Sequence, residues 1–281
     1  MSRPTARADS FDFVVEPTHG WAAPNFGALW EYRELLYFLA WRDVIVRYKQ
    51  SLFGVAWVVI QPLIAMVVFT VIFGQFAKLP SDGVPYAIFT YSGLLPWQLF
   101  SSSVIRSSNS LVVIANLVTK VYFPRLVLPL AATLAGVVDF AISLVVLFVF
   151  LAIFRIWPGW QILFLPLFTL LAILVALSVG IWLAALNVRY RDVTYMVPFL
   201  VQISLYLSPV AYSSRLVPGG TWKLVYALNP LVGVIQGFRW ALLRGPAPDW
   251  TLLVSVTMVL VLLVSGVYYF RRTEKTFADV V

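Results

Sequence analysis

From Leu52 to Phe76 the chain runs 25 residues without a charged side chain. A helix of that length rises far enough to cross a hydrocarbon core of about 30 Å. Inside such a core no water can satisfy the backbone, so a lone segment must pair its own N–H and C=O groups and is helical. Long uncharged runs recur to the C-terminus. Charged residues make up 11% of the chain, against about 25% in ordinary soluble proteins, which is too few to clothe a water-soluble globule. The expected fold class is all-α and integral to a membrane.

The run is preceded by WEYRELLYFLAWRDVIVRYKQS, residues 30–51. Tyr37, Trp41, Val44, Ile45 and Tyr48 recur at helical spacing and predict one apolar stripe. Arg33, Arg42, Asp43, Arg47 and Lys49 fall mostly off it, and Asp43 precedes Arg47 by four residues, the favourable order for a helix pair. Aromatics on one side and cations on the other suit a helix in the headgroup layer. Residues 29–51 are therefore expected as an amphipathic interfacial helix. Residues 1–28 form an irregular arm broken by Pro4, Pro17, Gly20, Pro24 and Gly27. It lacks the apolar stretch of a signal peptide, so the N-terminus is expected to stay in the cytoplasm.

The remainder divides into six expected spans, at about 52–76, 86–105, 126–154, 162–186, 193–212 and 251–270. Pro62 can bend the first, and Gly93 and Pro96 interrupt the second before it turns polar at Arg106–Ser110. Leu111–Arg125 is a short amphipathic piece, too polar at Asn116 and Lys120 to lie mid-span. Residues 224–243 are apolar enough to cross, but they contain Asn229-Pro230, Gly233, Gln236, Gly237 and Arg239. Such groups are tolerated at membrane depth when buried in protein, so this stretch is expected as a re-entrant helical pair before the last span. Residues 271–281 form a tail. With both termini inside, fourteen of the twenty Lys and Arg fall on the cytoplasmic side, in keeping with the positive-inside rule. A seventh span would move the RRTEK tail outside, against that bias.

Several chemistries lack their residues. There is no cysteine, hence no thiolate metal site, and the single histidine, His19, has no second imidazole to pair with. No GxxxxGK[ST] or GxSxG occurs, and no lysine follows a glycine, so the chain is expected neither to bind nor to split a nucleotide. The basic balance belongs to membrane topology and not to nucleic acid. No internal repeat is visible, which sets the chain apart from many secondary transporters. Passage of a substrate, without bond-making, is the expected activity.

The stretches WRDVIVRYKQSLFGVAWVVIQPL and YSGLLPWQLFSSSVIRSSNSLVVIANLVTKVYFPRLVLPL resemble the permease subunit of type-2 ABC exporters, as do NVRYRDV and ALNPLVGVIQGFRWALLRG further on. The branch that moves O-antigen, teichoic acid or capsule-type polysaccharide is the most similar. The resemblance covers about Leu35 to Phe270. It implies a multi-pass protein of the bacterial inner membrane, acting as a homodimer docked on a separate cytoplasmic ATPase. ATP and magnesium would be bound by that partner, with no cofactor in this chain. The implied substrate is a lipid-linked polysaccharide, on an undecaprenyl diphosphate or similar anchor, passing between the two subunits.

The resemblance also implies roles for particular residues. Asn116–Arg125, with Lys120, Tyr122, Phe123, Pro124 and Arg125, would include the coupling helix that enters a cleft of the ATPase. Arg42, Asp43 and Arg47 would add a second contact, unless the interfacial helix only anchors in lipid. Arg189, Arg191 and Asp192 in the NVRYRD turn would be a third, unless they only set topology. For the path, Tyr91, Trp97 and Phe100 offer ring faces to the apolar faces of sugars, and Ser101–Ser103 (Ser102 among them) and Asn109 offer polar partners that would be costly against lipid. Aromatics at both interfaces are also ordinary in membrane proteins. Arg106 and Asp139 are the ionisable groups nearest the hydrocarbon and are expected to face the bundle interior. Asn229 and Arg239 would shape the outer mouth. Two other classes remain open from sequence: an exporter of drugs or small lipids in the same superfamily, and an integral membrane glycosyl or phosphoryl transferase.

Overall fold

The computed structural model describes residues 26–49, 54–114, 123–274 and 277, and every regular element among them is helical. A short helix α1 (Phe26–Glu31) leads into α2 (Arg33–Lys49). Then come α3 (Val55–Phe69), α4 (Tyr86–Val113), α5 (Val127–Ile153), α6 (Leu165–Arg189) and α7 (Val193–Leu207). The chain closes with α8 (Thr221–Ala227), α9 (Pro230–Leu243) and α10 (Thr251–Glu274). Pro62 is absorbed inside α3, which runs on through a π-helical segment, Thr70–Phe76. A 3-10 turn, Trp160–Phe164, extends α6 at its start. Four helical segments among the described residues are long and apolar enough to cross a membrane: Val55–Phe76, Val127–Ile153, Trp160–Arg189 and Thr251–Glu274.

The central element is α4, which is not one of those four. It is buried along most of its length and packs against α3, α5, α6, α7 and α9. Because protein surrounds it, its serines need not face lipid. Ser92, Ser102, Ser108 and Ser110 each donate to the carbonyl three residues back on their own helix, which satisfies the hydroxyl without a partner elsewhere. Small residues let the neighbours approach closely. A Cβ on Gly180 of α6 would stand 2.7 Å from the hydroxyl of Ser107, and one on Gly237 of α9 would stand 2.1 Å from the ring of Phe168.

Two apolar cores follow. The larger runs through the bundle, with Tyr91, Leu95, Phe140, Val175, Ile235 and Phe238 among its buried members. The smaller closes one end of it, where Leu39 of α2 meets Leu111, Phe123, Leu126, Ala184, Phe270 and Phe277. The last turns of α4, α6 and α10, the first turn of α5 and the N-terminal helix therefore share one end of the molecule. At the opposite end Tyr86 donates to the carbonyl of Ala211, Ser213 bonds Asp82 at 2.9 Å, Lys223 pairs with Asp249, and Trp160 packs on Trp240.

Several sequence expectations change. Gly93 and Pro96 do not interrupt α4, and the helix continues through the polar stretch Arg106–Ser110 to Val113 rather than ending near Ile105. Its polar residues are accommodated by burial and by bonds to its own backbone. Helix α7 stops at Leu207, short of Tyr212, because the chain turns at Ser208–Val210 to bring carbonyls to Arg239. Residues 224–243 are split as expected at Asn229-Pro230. Asn229 accepts from the N–H of Leu231 and starts α9, where proline at the first turn is tolerated because its missing N–H has no helical partner to lose. The single stripe expected on α2 is divided. Val44 is buried together with Leu39, which lay outside the stripe, while Tyr37 and Trp41 stack on each other at 69% and 51% exposure.

Candidate functional site

Three charged residues, Arg47, Arg106 and Asp139, converge at the middle of α5. Asp139 accepts from the guanidinium of Arg47 through Oδ2 and from the phenol of Tyr48 through Oδ1 at 2.5 Å. Arg106 of α4 reaches the same Oδ2 at 3.4 Å and donates to Ser102 at 3.1 Å. Helix α2 thus presents its last turn to α5, and α4 presents Arg106 one turn below Ser102. Gly136, one turn before Asp139, makes the room: a Cβ there would lie 2.5 Å from Arg106 Nη2 and 2.4 Å from Ser103 Oγ. Partial burial, then the hydrogen bond to Asp139 and that carboxylate's charge, push the Tyr48 phenol above its ordinary pKa, so it remains a donor.

These groups border a cavity of about 200 Å³. Gln61 of α3 and Gln98 and Ser102 of α4 supply neutral polar atoms, and Trp57, Leu99 and Phe140 supply apolar wall. Two guanidiniums face one carboxylate, which leaves one positive charge in excess. Chemically, this is a lined recess that favours an anionic group over a neutral one.

The expected coupling residues divide. Asp43 pairs with its neighbour Arg42 at 2.7 Å instead of with Arg47, which is drawn away to Asp139. Lys120 and Tyr122 lie outside the described residues. Phe123 is buried in the end cluster, and Pro124 accepts from the N–H of Val127 as α5 begins. Arg125 is fixed by Glu274 of α10: its N–H meets Oε1 at 3.0 Å, and its guanidinium donates to the Glu274 carbonyl and stands over the ring of Phe277. Arg189, Arg191 and Asp192 are exposed at that same end, and Arg189 stands over Tyr190.

The expected path residues are mostly internal. Tyr91 is fully buried, bonded to the carbonyl of Ser143 and edge-on to Phe150. Trp97 reaches Ser204 of α7 at 3.4 Å. Asn109 accepts from Asn187 of α6, whose own carbonyl takes a bond from Thr194 at 2.8 Å. Phe100 and Asn229 line a second recess of about 650 Å³ with Tyr212, Trp222 and Tyr226. Asn229 also donates to Ser208 at 3.0 Å. Arg239 lies inside the protein at 6% exposure. It donates to the carbonyls of Val210 at 2.8 Å, Tyr212 at 3.2 Å and Phe89 at 3.4 Å, with its guanidinium 3.5 Å from the centre of the Phe89 ring.

Sequence reasoning missed Tyr48 and Gly136 at the cluster, the Asn187–Asn109 pair, and Glu274 with Phe277. One signal for the cluster was present. Gly136 stands three residues before an intramembrane acid, which is the helical offset that opens space for a long cation beside it.

The chain matches the family described as ABC-2 type transporter over residues 34–243. It is similar to the O-antigen export system permease protein RfbA of Myxococcus xanthus, 30% identical over 250 residues that cover 88% of this chain and 95% of that protein. It is 28% identical to a protein of the same name from Klebsiella pneumoniae, over 91% of this chain and 97% of the relative. The polysialic acid transport protein KpsM of Escherichia coli is 24% identical over 83% of this chain and 91% of that protein.

Proposed function

The chain belongs to the ABC-2 type transporter family, and from that premise we propose that it is the permease of an exporter moving a lipid-linked polysaccharide across the bacterial inner membrane. In this reading α3, α4, α5, α6, α7 and α10 are six spans, and α8 and α9 form a re-entrant pair at the outer end. Two copies form the path, and a separate cytoplasmic ATPase binds ATP and magnesium and drives the cycle. The end that holds α2, Arg125, the NVRYRD turn and the last turn of α10 is the cytoplasmic end. There Arg42, Asp43, Lys120, Arg189, Arg191 and Asp192 contact the ATPase.

The observation that carries the reading is the unbalanced charge beside the cavity at Asp139. A glycan joined to its lipid through a phosphate or diphosphate supplies the missing anion, and two guanidiniums suit phosphate oxygens. The names of the relatives supply the glycan. The aromatics Trp97 and Phe100 and the exposed ring stripe of α2 offer further faces to sugar and to headgroups.

Deletion of the gene is expected to remove surface polysaccharide and leave carrier-linked glycan at the cytoplasmic face, measured by surface immunolabelling and by lipid extraction. Co-expression of this chain with its ATPase restores the surface signal. Replacing Arg106 by Gln lowers export about tenfold or more, the scale of losing one charge-assisted contact. Unchanged surface polysaccharide in the deletion, or ATP hydrolysis by the purified chain alone, overturns the proposal.

A further inference from the structure

Asp139 occupies a costly place. It lies about 18 Å along α5 from the helix start, and an ionised carboxylate there must find partners within the protein. Two of its three partners, Arg47 and Tyr48, come from the last turn of α2. Among the described residues the rest of α2 meets the bundle mainly through apolar side chains: Leu39 sits in the end cluster and Val44 is buried, while the outward face is exposed. Apolar surfaces slide past one another with little directional preference, whereas an ion pair in a poorly solvated recess is either made or broken. The contact at Asp139 is thus the discrete element in an otherwise graded interface.

The charge count gives that element a consequence. With Arg47 in place, the recess holds Arg47, Arg106 and Asp139, with Arg42 and Asp43 balanced against each other nearby. With Arg47 withdrawn, Arg106 and Asp139 remain as a neutral pair, already within 3.4 Å. Both states are therefore electrostatically tenable, and they differ by one positive charge in the cavity. We propose that Asp139 is a latch for α2, so that the position of α2 sets whether the cavity is cationic or neutral. A push on α2 from a partner at its end of the molecule would release the latch. The cavity would then lose its hold on an anion at the moment of the stroke. Asp139 acts here as a positioning residue, through Arg47. The proposal rests on the exporter reading for the identity of the anion, but the latch itself does not.

The test uses the full chain with its ATPase partner in lipid nanodiscs. Hydrogen exchange of amides 44–49 reports the latch without any substrate, and glycan exported per ATP hydrolysed reports coupling. Asp139→Asn is expected to speed exchange over 44–49 about tenfold or more as the last turns of α2 open locally. It should also lower export per ATP while hydrolysis continues. Asp139→Glu keeps both near the wild-type values. Should Asp139→Asn fail to insert, Arg47→Gln gives the same readouts while leaving the Arg106–Asp139 pair intact. Unchanged exchange in Asp139→Asn or Arg47→Gln overturns the latch, as does exchange in Asp139→Glu as fast as in Asp139→Asn. Faster exchange in a protein whose wild type exports no glycan supports the latch and overturns the exporter reading instead.

Discussion

Arg239 joins three stretches of chain that are distant in sequence: α9 on which it sits, the turn at Val210–Tyr212, and the start of α4 at Phe89. Its planar fork serves three carbonyls and stacks on a ring at once, which an ammonium cannot do. Arg239→Met should therefore destabilise by about 3 kcal/mol, because acceptors are left unpaired in a buried site. Arg239→Lys should recover little of that loss. Thermal unfolding in detergent checks both, and a Lys variant as stable as wild type would refute the three-carbonyl account. At this scale the sequence marked charges that the structure buries in part or in full, and withheld their partners. Asp139, Arg106 and Arg239 stand out as charges in apolar stretches, and helical periodicity says nothing of what lies across a bundle. Arg47 and Asp139 are 92 residues apart, beyond any local pattern. Tyr91 and Trp97 show the converse: a ring in a span is equally a core residue and a lining residue until its neighbours are known.

Among the helices, the clean uncharged runs were legible because length and composition alone determine them. Helix α4 was legible at its start, Tyr86, but not at its end, since its Ser, Asn and Arg residues weaken the apolar signal that identifies a lipid-facing span. Burial by five neighbours replaces lipid, and the polar letters that look like a helix end lie inside one. The apolar residues of α2 are divided between bundle and surroundings, because two faces of that helix are apolar and only packing distinguishes them. The end of α10 gives a second case. Glu274 and Phe277 hold Arg125, the last residue of the segment expected to include the coupling helix, and Phe277 is 1% exposed. Phe277→Ala should cost about 3 kcal/mol, as for other buried rings. It should also weaken capture of the ATPase by the purified chain, since Arg125 loses its seat. A variant that is less stable yet captures ATPase at wild-type affinity would confine the role of Phe277 to packing.

For the whole molecule, the two clusters at its ends fix which loops share a side without saying which side is which. Tyr86 with Ala211, Ser213 with Asp82, and Lys223 with Asp249 gather residues 78–86, 211–223 and 249 at one end. Leu39, Phe123, Phe270 and Phe277 gather the other. The second end carries Arg125, Arg189, Arg191, Arg271 and Arg272, and it is the end that the proposed topology puts inside under the positive-inside rule. Four long apolar segments alone do not decide the number of crossings, because α4 has the length at 28 residues but is more polar, and α7 is apolar but only 15 residues long. The absence of cysteine from the sequence permits a direct test with single introduced thiols. Gly219→Cys, in a loop at the far end with open space around it, should react with a membrane-impermeant maleimide in intact spheroplasts. Tyr190→Cys, exposed beside Arg189 and Arg191, should react only after permeabilisation. Thr257→Cys, on an exposed position within α10, should resist the reagent in both. Labelling of Gly219→Cys and Tyr190→Cys from the same side would require an even number of crossings between them. Helix α7 would then not be a span, and the six-span arrangement would fail with it.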